Sequence, residues 1–351
     1  MKSKLLLISI LTLAILVSGC SISVKSKGGG GNDGGVFISP NKGEIFRQMT
    51  AMPTISGRAQ NVGYLNVNNL AADPNDAAAM YLASYDYGLF YTYNVTEGWN
   101  YVEGLGQNTI NDVVVDPGVK CTIYAAIGNQ IMRSIDCSRS WQQIYFGPNT
   151  ESAINSVAVD HYFTDHIYVG NSNGDLVKSV DNGKSWRTIY RFNSGVEDIF
   201  VNPKDSRDVF VATEDNQLYR VSLDGSQWTN LREEMPNIDL GSSFVDLLFS
   251  ETDGTVIWAT DKLLLRSPDN GLSWSQIRLL TSPDESHIRA ADLNSANPQE
   301  MYYATNTVFA SSLDGGLTWT IKDLPTQRAA SDIVIDTENT NLIYLSVTRQ
   351  Q

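Results

Sequence analysis

SVDNGKSW, from Ser179 to Trp186, decides the architecture because it recurs along the chain. It returns as SPDNGLSW at Ser267 to Trp274 and SLDGGLTW at Ser312 to Trp319. Worn copies are SIDCSRSW at Ser134 to Trp141, SLDGSQW at Ser222 to Trp228 and TYNVTEGW at Thr92 to Trp99. A seventh, SPNKGEIF at Ser39 to Phe46, has Phe in place of Trp. After the first interval the aromatic anchors fall 42 to 46 residues apart. A period of that length means propeller blades or a solenoid.

Each copy lies between two short apolar runs and so reads as a hairpin turn. The Asp carboxylate (Asp136, Asp181, Asp224, Asp269, Asp314) and the Ser hydroxyl can accept backbone N–H groups inside the turn. The Gly supplies a positive φ. The aromatic ring (Trp99, Trp141, Trp186, Trp228, Trp274, Trp319) is expected at the seam with the next repeat. These residues read as structural, and six of the seven tryptophans serve the motif.

One repeat reads as four strands: Ile110 to Pro117, Thr122 to Ile127, Gln130 to Ile135 and Ser140 to Phe146. The runs are short, rich in Val, Ile and Tyr, and punctuated by Asp, Asn, Pro and Gly, as antiparallel strands are. The last repeat, SDIVIDTENTNLIYLSV, supplies only strands one and two. The first, GVFISPNKGEIFRQM, supplies only strands three and four. Together they make one blade and close the ring without a free edge. The expectation is all-β: a seven-bladed propeller over residues 36–351, about 45 residues per blade and one domain.

The front of the chain reads as an export signal over residues 1–19. Lys2 and Lys4 precede a 13-residue apolar run, Leu5 to Val17, that is short for a bilayer span. Leu16-Val17-Ser18-Gly19-Cys20 resembles the lipobox of bacterial lipoproteins. That resemblance implies cleavage before Cys20, acylation of its sulfur and new amino group, and a durable membrane anchor. An ordinary signal peptide is the alternative. Ser21, where an Asp would mark inner-membrane retention, favours the outer membrane in a cell that has one. Otherwise the outer face of the cytoplasmic membrane is expected. Residues 20–35 are then the lipidated Cys and a Gly- and Ser-rich tether, holding the propeller roughly 20 Å from the membrane.

Export agrees with the remaining cysteines. Cys121 begins a strand two and Cys137 follows a strand three, across one hairpin. A disulfide is expected, with two free buried thiols as the alternative. Removing Lys2 and Lys4 with the leader takes the net charge from −14 to −16. That argues against nucleic acid and a polybasic membrane contact as partners. The three histidines, His161, His166 and His287, lack metal-ligand spacing, so no cofactor is expected. Calcium on the acidic loops DPND and DSRD stays open.

The face opposite the octapeptide turns carries the candidate site residues. Asp112, Asp198, Asp246 and Asp332 align at the start of strand one, with Glu197 and Arg289 one position earlier. They should approach the central channel, where crowding would raise their pKa values or recruit a cation. A hydrated, acid-lined funnel with no ligand is the alternative. Arg58, Arg191, Arg232, Arg289 and Arg328 fall in the connecting loops and could hold an acidic partner, or pair with neighbouring carboxylates. Tyr85-Asp86-Tyr87-Gly88 offers an aromatic tip for a sugar or a protein.

The repeats resemble the Asp-box, or BNR-repeat, propellers: sialidases, sortilin-type receptors, xyloglucanases and the photosystem II assembly and stability factor. The resemblance covers nearly all the chain beyond residue 35. It implies the fold strongly and function weakly. The assembly factor is closest in plan: one lipid-anchored, seven-bladed propeller that acts as a chaperone through an arginine-lined face. Sialidases carry an arginine triad and an F-R-I-P-like segment; here Phe46-Arg47-Gln48 follows the turn and no R-I-P occurs. Ala83 to Gly88 (ASYDYG) is similar to the xyloglucanase segment bearing a catalytic Asp, which maps onto Asp86. The second carboxylate of those enzymes comes from a second propeller, and hydrolysis needs both.

The expectation is therefore a non-catalytic, monomeric, membrane-anchored scaffold for an envelope protein. Arg191, Arg232 and Arg328 are the candidate partner contacts. Glycan or cell-wall polysaccharide binding through Tyr85 and Tyr87 is the alternative, and glycoside hydrolysis the more distant one.

Overall fold

The octapeptide turn is held together by its own side chains. In the computed structural model, Ser179 Oγ donates to Asp181 Oδ1 at 2.8 Å and accepts the Gly183 N–H at 2.8 Å. Asp181 also accepts the Ser185 N–H at 2.8 Å and the Ser185 hydroxyl at 2.6 Å. The copies at Ser134, Ser267 and Ser312 repeat these bonds. Each turn needs two consecutive residues with positive φ: Asn182 and Gly183, Asn270 and Gly271, Gly315 and Gly316, Lys42 and Gly43. The motif's glycine is therefore only half of its conformational demand.

The structure describes residues 32–53, 60–94, 97–221, 227–233, 235, 237–280 and 287–349. Cys20, Arg58, Asp224, the leader and most of the tether lie outside the described residues. The described strands form seven four-stranded antiparallel sheets plus a small pair, Ala51–Met52 with Gln60–Asn61. The strands of one blade are Asp112–Val115, Ile123–Ile127, Gln130–Ser134 and Gln142–Phe146. They fall within the four runs read from the sequence.

Counting from Val67, six blades are continuous, and the seventh joins both chain ends. In it Gly35–Ser39 pairs with Ile343–Thr348, placing Val36 opposite Ser346 and Phe37 opposite Leu345. Strand two of a blade packs on both neighbours, so Ile167–Asn171, Val209–Thr213 and Val256–Thr260 are buried on both faces. Strand four is the outer edge, and Arg187–Arg191 and Ser275–Ile277 are largely polar or exposed.

Seven apolar clusters make the core, one at each seam between blades. The tryptophans join these seams, but on the side opposite to the expected one. Trp186 Nε1 donates to the Ile144 carbonyl at 3.0 Å, Trp319 to Arg278 at 3.0 Å and Trp99 to Met49 at 3.2 Å. Each acceptor belongs to the preceding blade. Trp opens strand four on the sheet face turned toward that blade, and a linear reading of the motif holds no information on which face this is.

Cys121 and Cys137 are bonded, their Cα atoms 4.2 Å apart. They tie the loop before strand two to the one octapeptide turn where Ser138 replaces Gly at positive φ. The double variant Cys121→Ser/Cys137→Ser should lose about 3 kcal/mol, by the loop-closure relation for a separation of 16 residues. Equilibrium denaturation of the two proteins without reductant would show it, and equal midpoints would reject the estimate.

Candidate functional site

Strand one of each blade lines the central channel. Because side chains alternate along a strand, every second residue of these strands points into the lumen, a cavity of about 650 Å³. Asp112, Asp198, Asp246 and Asp332 all line it, and Glu197 reaches it beside Asp198 because the strand bulges there and breaks the alternation. Asp292 is a fifth aspartate that the sequence alignment missed. Counting back from Asn294 put Ala290 at the ring position. Asp292 lies two residues further along the same strand, hence on the same face, opposite Tyr302. The period of two was the signal that could have found it.

The ring aspartates fasten neighbouring blades. Asp112 accepts its own Val113 N–H at 2.8 Å and the Val157 N–H of the next blade at 2.8 Å. Asp292 does the same with Leu293 and Ile335, both at 2.7 Å. Asp332 accepts the Leu70 N–H at 2.8 Å, and Asp198 takes the Ser156 hydroxyl at 2.7 Å. Asp246 differs: it holds its own Leu247 N–H at 2.7 Å and makes no hydrogen bond to another blade among the described residues.

Burial pushes Asp292 and Asp332 up to about 7, against the pull of their backbone donors. Asp246 is raised by burial first and then by the charges of Asp332, Asp198 and Asp292. Asp112 and Asp198 rise together, chiefly through burial. Glu197 is pushed up to about 7 by burial and by Asp198 and Glu214. Each ring aspartate keeps some surface on the lumen, but protein encloses it on the other sides. Loss of solvation thus outweighs mutual repulsion, which the sequence reading had put first.

The arginines do not converge. Arg191 forks onto Asp175 through Nε and, at 3.0 Å, Nη2. Arg232 donates to the Asn216 carbonyl at 2.9 Å. Arg289 donates to Asn306 at 3.0 Å and borders a separate small cavity with Asp261 and His287. Arg328 is only 5% exposed. It binds Asp33 at 3.0 Å, the Leu65 carbonyl at 2.6 Å and Asn66 at 3.1 Å. It thereby clasps the incoming chain and the first blade onto the seventh, a structural duty on this face.

The aromatic tip is larger than the sequence indicated. Tyr64, from the loop before the first blade, packs edge-on against Tyr87 with centroids 5.0 Å apart. Tyr64, Tyr85 and Tyr87 are 37%, 38% and 40% exposed. Between the last two, Asp86 adopts a left-handed φ of 64° and exchanges hydrogen bonds with Thr109, at 2.9 and 3.1 Å. Thr109 is its only hydrogen-bond partner among the described residues.

The acidic loops considered for calcium are already occupied. Asp73 caps the Asn75 N–H, and Asp205 and Asp208 pair with Arg207 and Arg220. Among the described residues no group of three or more His, Cys, Asp or Glu is arranged to hold a metal ion.

No family model and no curated protein sequence matches this chain. Solved structures do. A GH74 xyloglucanase from Xanthomonas campestris superposes with a TM-score of 0.67 at 14% identity, over 81% of this chain and 51% of that one. YCF48 bound to a D1 peptide gives 0.61 at 14% identity, over 86% of this chain and 100% of that one. An ancestral GH74 enzyme gives 0.56 at 16%, over 82% and 40%. The chain thus spans about half the length of the xyloglucanase it matches. The seven-bladed propeller is the fold these proteins share with it.

Proposed function

We propose that the protein is a non-catalytic scaffold of the cell envelope, anchored through lipid on Cys20, that takes a protein partner on its loop-rich face. The observation that carries this is the exposed trio Tyr64, Tyr85 and Tyr87. Tyrosines offer large contact area with few rotamers to freeze, and they anchor interfaces. The arginines first considered for this role have partners within the chain, so the tyrosines replace them as the recognition surface. The likeness to YCF48, which spans that whole chain and was solved with a peptide bound, supports a binding role.

Against hydrolysis stands the setting of Asp86. Two carboxylates must flank one glycosidic bond, and the hydrogen bonds of Asp86 go to Thr109. The channel aspartates are committed to backbone N–H groups and sit where burial favours their protonated form.

The test is a pull-down from detergent-solubilised membranes after cross-linking in cells, with the mature lipoprotein as bait. A stoichiometric envelope protein that disappears with Tyr64→Ala/Tyr87→Ala is the expected result. A partner indifferent to both changes would reject the tyrosine face. Polysaccharide binding lost on changing Tyr85 and Tyr87 would move the reading to a glycan. Hydrolysis abolished by Asp86→Asn would replace it with an enzyme.

A further inference from the structure

Among the described residues, the octapeptide turns and the loops joining strands one and two emerge at the same end of the blades, opposite the tyrosine trio. Ten of the fifteen large apolar side chains exposed among the described residues lie on that end. Four of them occupy the turns of three consecutive blades: Leu272 in the fifth, Leu313 and Leu317 in the sixth, and Ile45 in the seventh. They are 67%, 63%, 85% and 61% exposed.

The turn itself does not require these side chains. Its bonds are made by Ser, Asp, the backbone and the closing Ser or Thr. Leu272 and Leu317 occupy the position that Lys184 fills in the third blade's copy. A polar residue thus serves the same turn, and exposed aliphatic surface stabilises nothing in the monomer. Isolated exposed apolar residues are ordinary, and Ile135 and Val180 stand singly in the second and third turns. The pair in the sixth turn, flanked by Leu272 and Ile45, is the densest grouping on this end, and apolar groupings mark interaction surfaces. The hydrogen-bonded turns hold the tips in place, so little ordering is lost on binding.

Charge selects the occupant. Asp269 and Asp314 lie within these same turns and are held below the usual carboxylate range by Ser273 and Thr318, so both stay ionised. Glu251, Asp253 and Glu338 stand in the adjoining loops of this end. Of the cations here, Lys42 pairs with Glu300 at 2.7 Å and Lys322 with Glu44. Arg266 and Lys204 donate to main-chain carbonyls, and Arg47 stands exposed beside the seventh turn, fewer than the carboxylates around them. The sector presents aliphatic tips on an acidic ground, which repels an anionic bilayer.

We infer that the turn-bearing end of blades five to seven docks a second protein through a surface that is both basic and apolar. This surface is distinct from the tyrosine face, so the protein can bridge two partners. The aliphatic tips would supply contact area, and the partner's Lys or Arg side chains would face the ionised turn aspartates.

The test uses a fluorescent 16-residue amphipathic peptide of Leu and Lys, titrated by anisotropy at 0.15 M salt. Its Leu/Glu counterpart is the control. The variant Leu272→Ser/Leu313→Ser/Leu317→Ser should weaken binding at least tenfold with the melting temperature unchanged, because all three residues are exposed. Tyr64→Ser/Tyr87→Ser on the other face should bind as the parent does, which separates this site from the tyrosine reading. Equal affinity of the leucine variant and the parent would overturn the inference. So would a parent dimer in sedimentation that the leucine variant dissolves, since the occupant would then be a second copy. Flotation with zwitterionic vesicles, lost in the leucine variant, would equally overturn it in favour of a lipid surface.

Discussion

Gly316→Ala should cost about 3 kcal/mol, whereas Gly128→Ala should cost about 1 kcal/mol, although both glycines have positive φ. Gly316 has φ +86° and Gly128 +55°, so each pays the left-handed penalty of roughly 1 kcal/mol. The difference lies in what the new methyl would meet. At Gly128 nothing stands within 4 Å. At Gly316 the added Cβ would fall 2.4 Å from Cγ2 of Ile277, a buried side chain of the preceding blade. Overpacking of that kind adds about 2 kcal/mol. For a propeller of over 300 residues the loss amounts to roughly 4–5 °C in melting temperature. Calorimetry of both variants decides it: equal shifts would mean that the turn glycine serves only the backbone and has no part in the seam. Gly183 against Ile144 and Gly43 against Phe309 repeat the arrangement.

The second large effect is on pH. Ring carboxylates raised to about 7 in the folded protein bind protons there that the unfolded chain, at about 4, has already lost. Their contribution is therefore fully present below pH 4. It fades as pH rises through 7. The turn aspartates run the other way. Asp136 and Asp181 are lowered to about 2, chiefly by the Ser140 and Ser185 hydroxyls, and their contribution fades as pH falls from 4 toward 2. These turns face solvent, so the ring dominates, and stability should rise from pH 8 to pH 5.

Asp246→Asn isolates the effect. An Asn oxygen keeps the Leu247 N–H bond, and the charge facing Asp332, Asp198 and Asp292 is gone. The variant should melt above the parent at pH 8, and the gap should close as pH falls toward 4. A lower melting temperature at pH 8 would mean that the ionised ring is favourable, for instance through a bound cation. That outcome would reopen the channel as a ligand site.

The ring also shows where reading the chain stops. Four of its five aspartates were found by aligning strand ends, because a strand's period of two is a local property. Asp292 escaped because the sixth blade carries its carboxylate one pleat deeper, on the same face but two residues beyond the aligned position. For the arginines, pairing with carboxylates was one of the two readings and holds for Arg191 and Arg328, but the partners themselves were not legible. Arg328 and Asp33 are 295 residues apart, and their pairing exists only because the ring closes. Tyr64 meets Tyr87 from the loop that leads into the same blade, a segment with no repeat signal.

What the chain determined alone is therefore what short-range bonds encode. The octapeptide specifies its own turn through Ser, Asp and a left-handed pair, and its spacing counts the blades. The split last repeat demands the closure seen between Val36 and Ser346. What only the tertiary structure decided is direction. It set which neighbour each tryptophan packs against, which carboxylates share the channel, and which charges are already paired. It also set which apolar side chains stay in water. Those outcomes depend on the twist and handedness of packed blades, and no local bond along the chain records either.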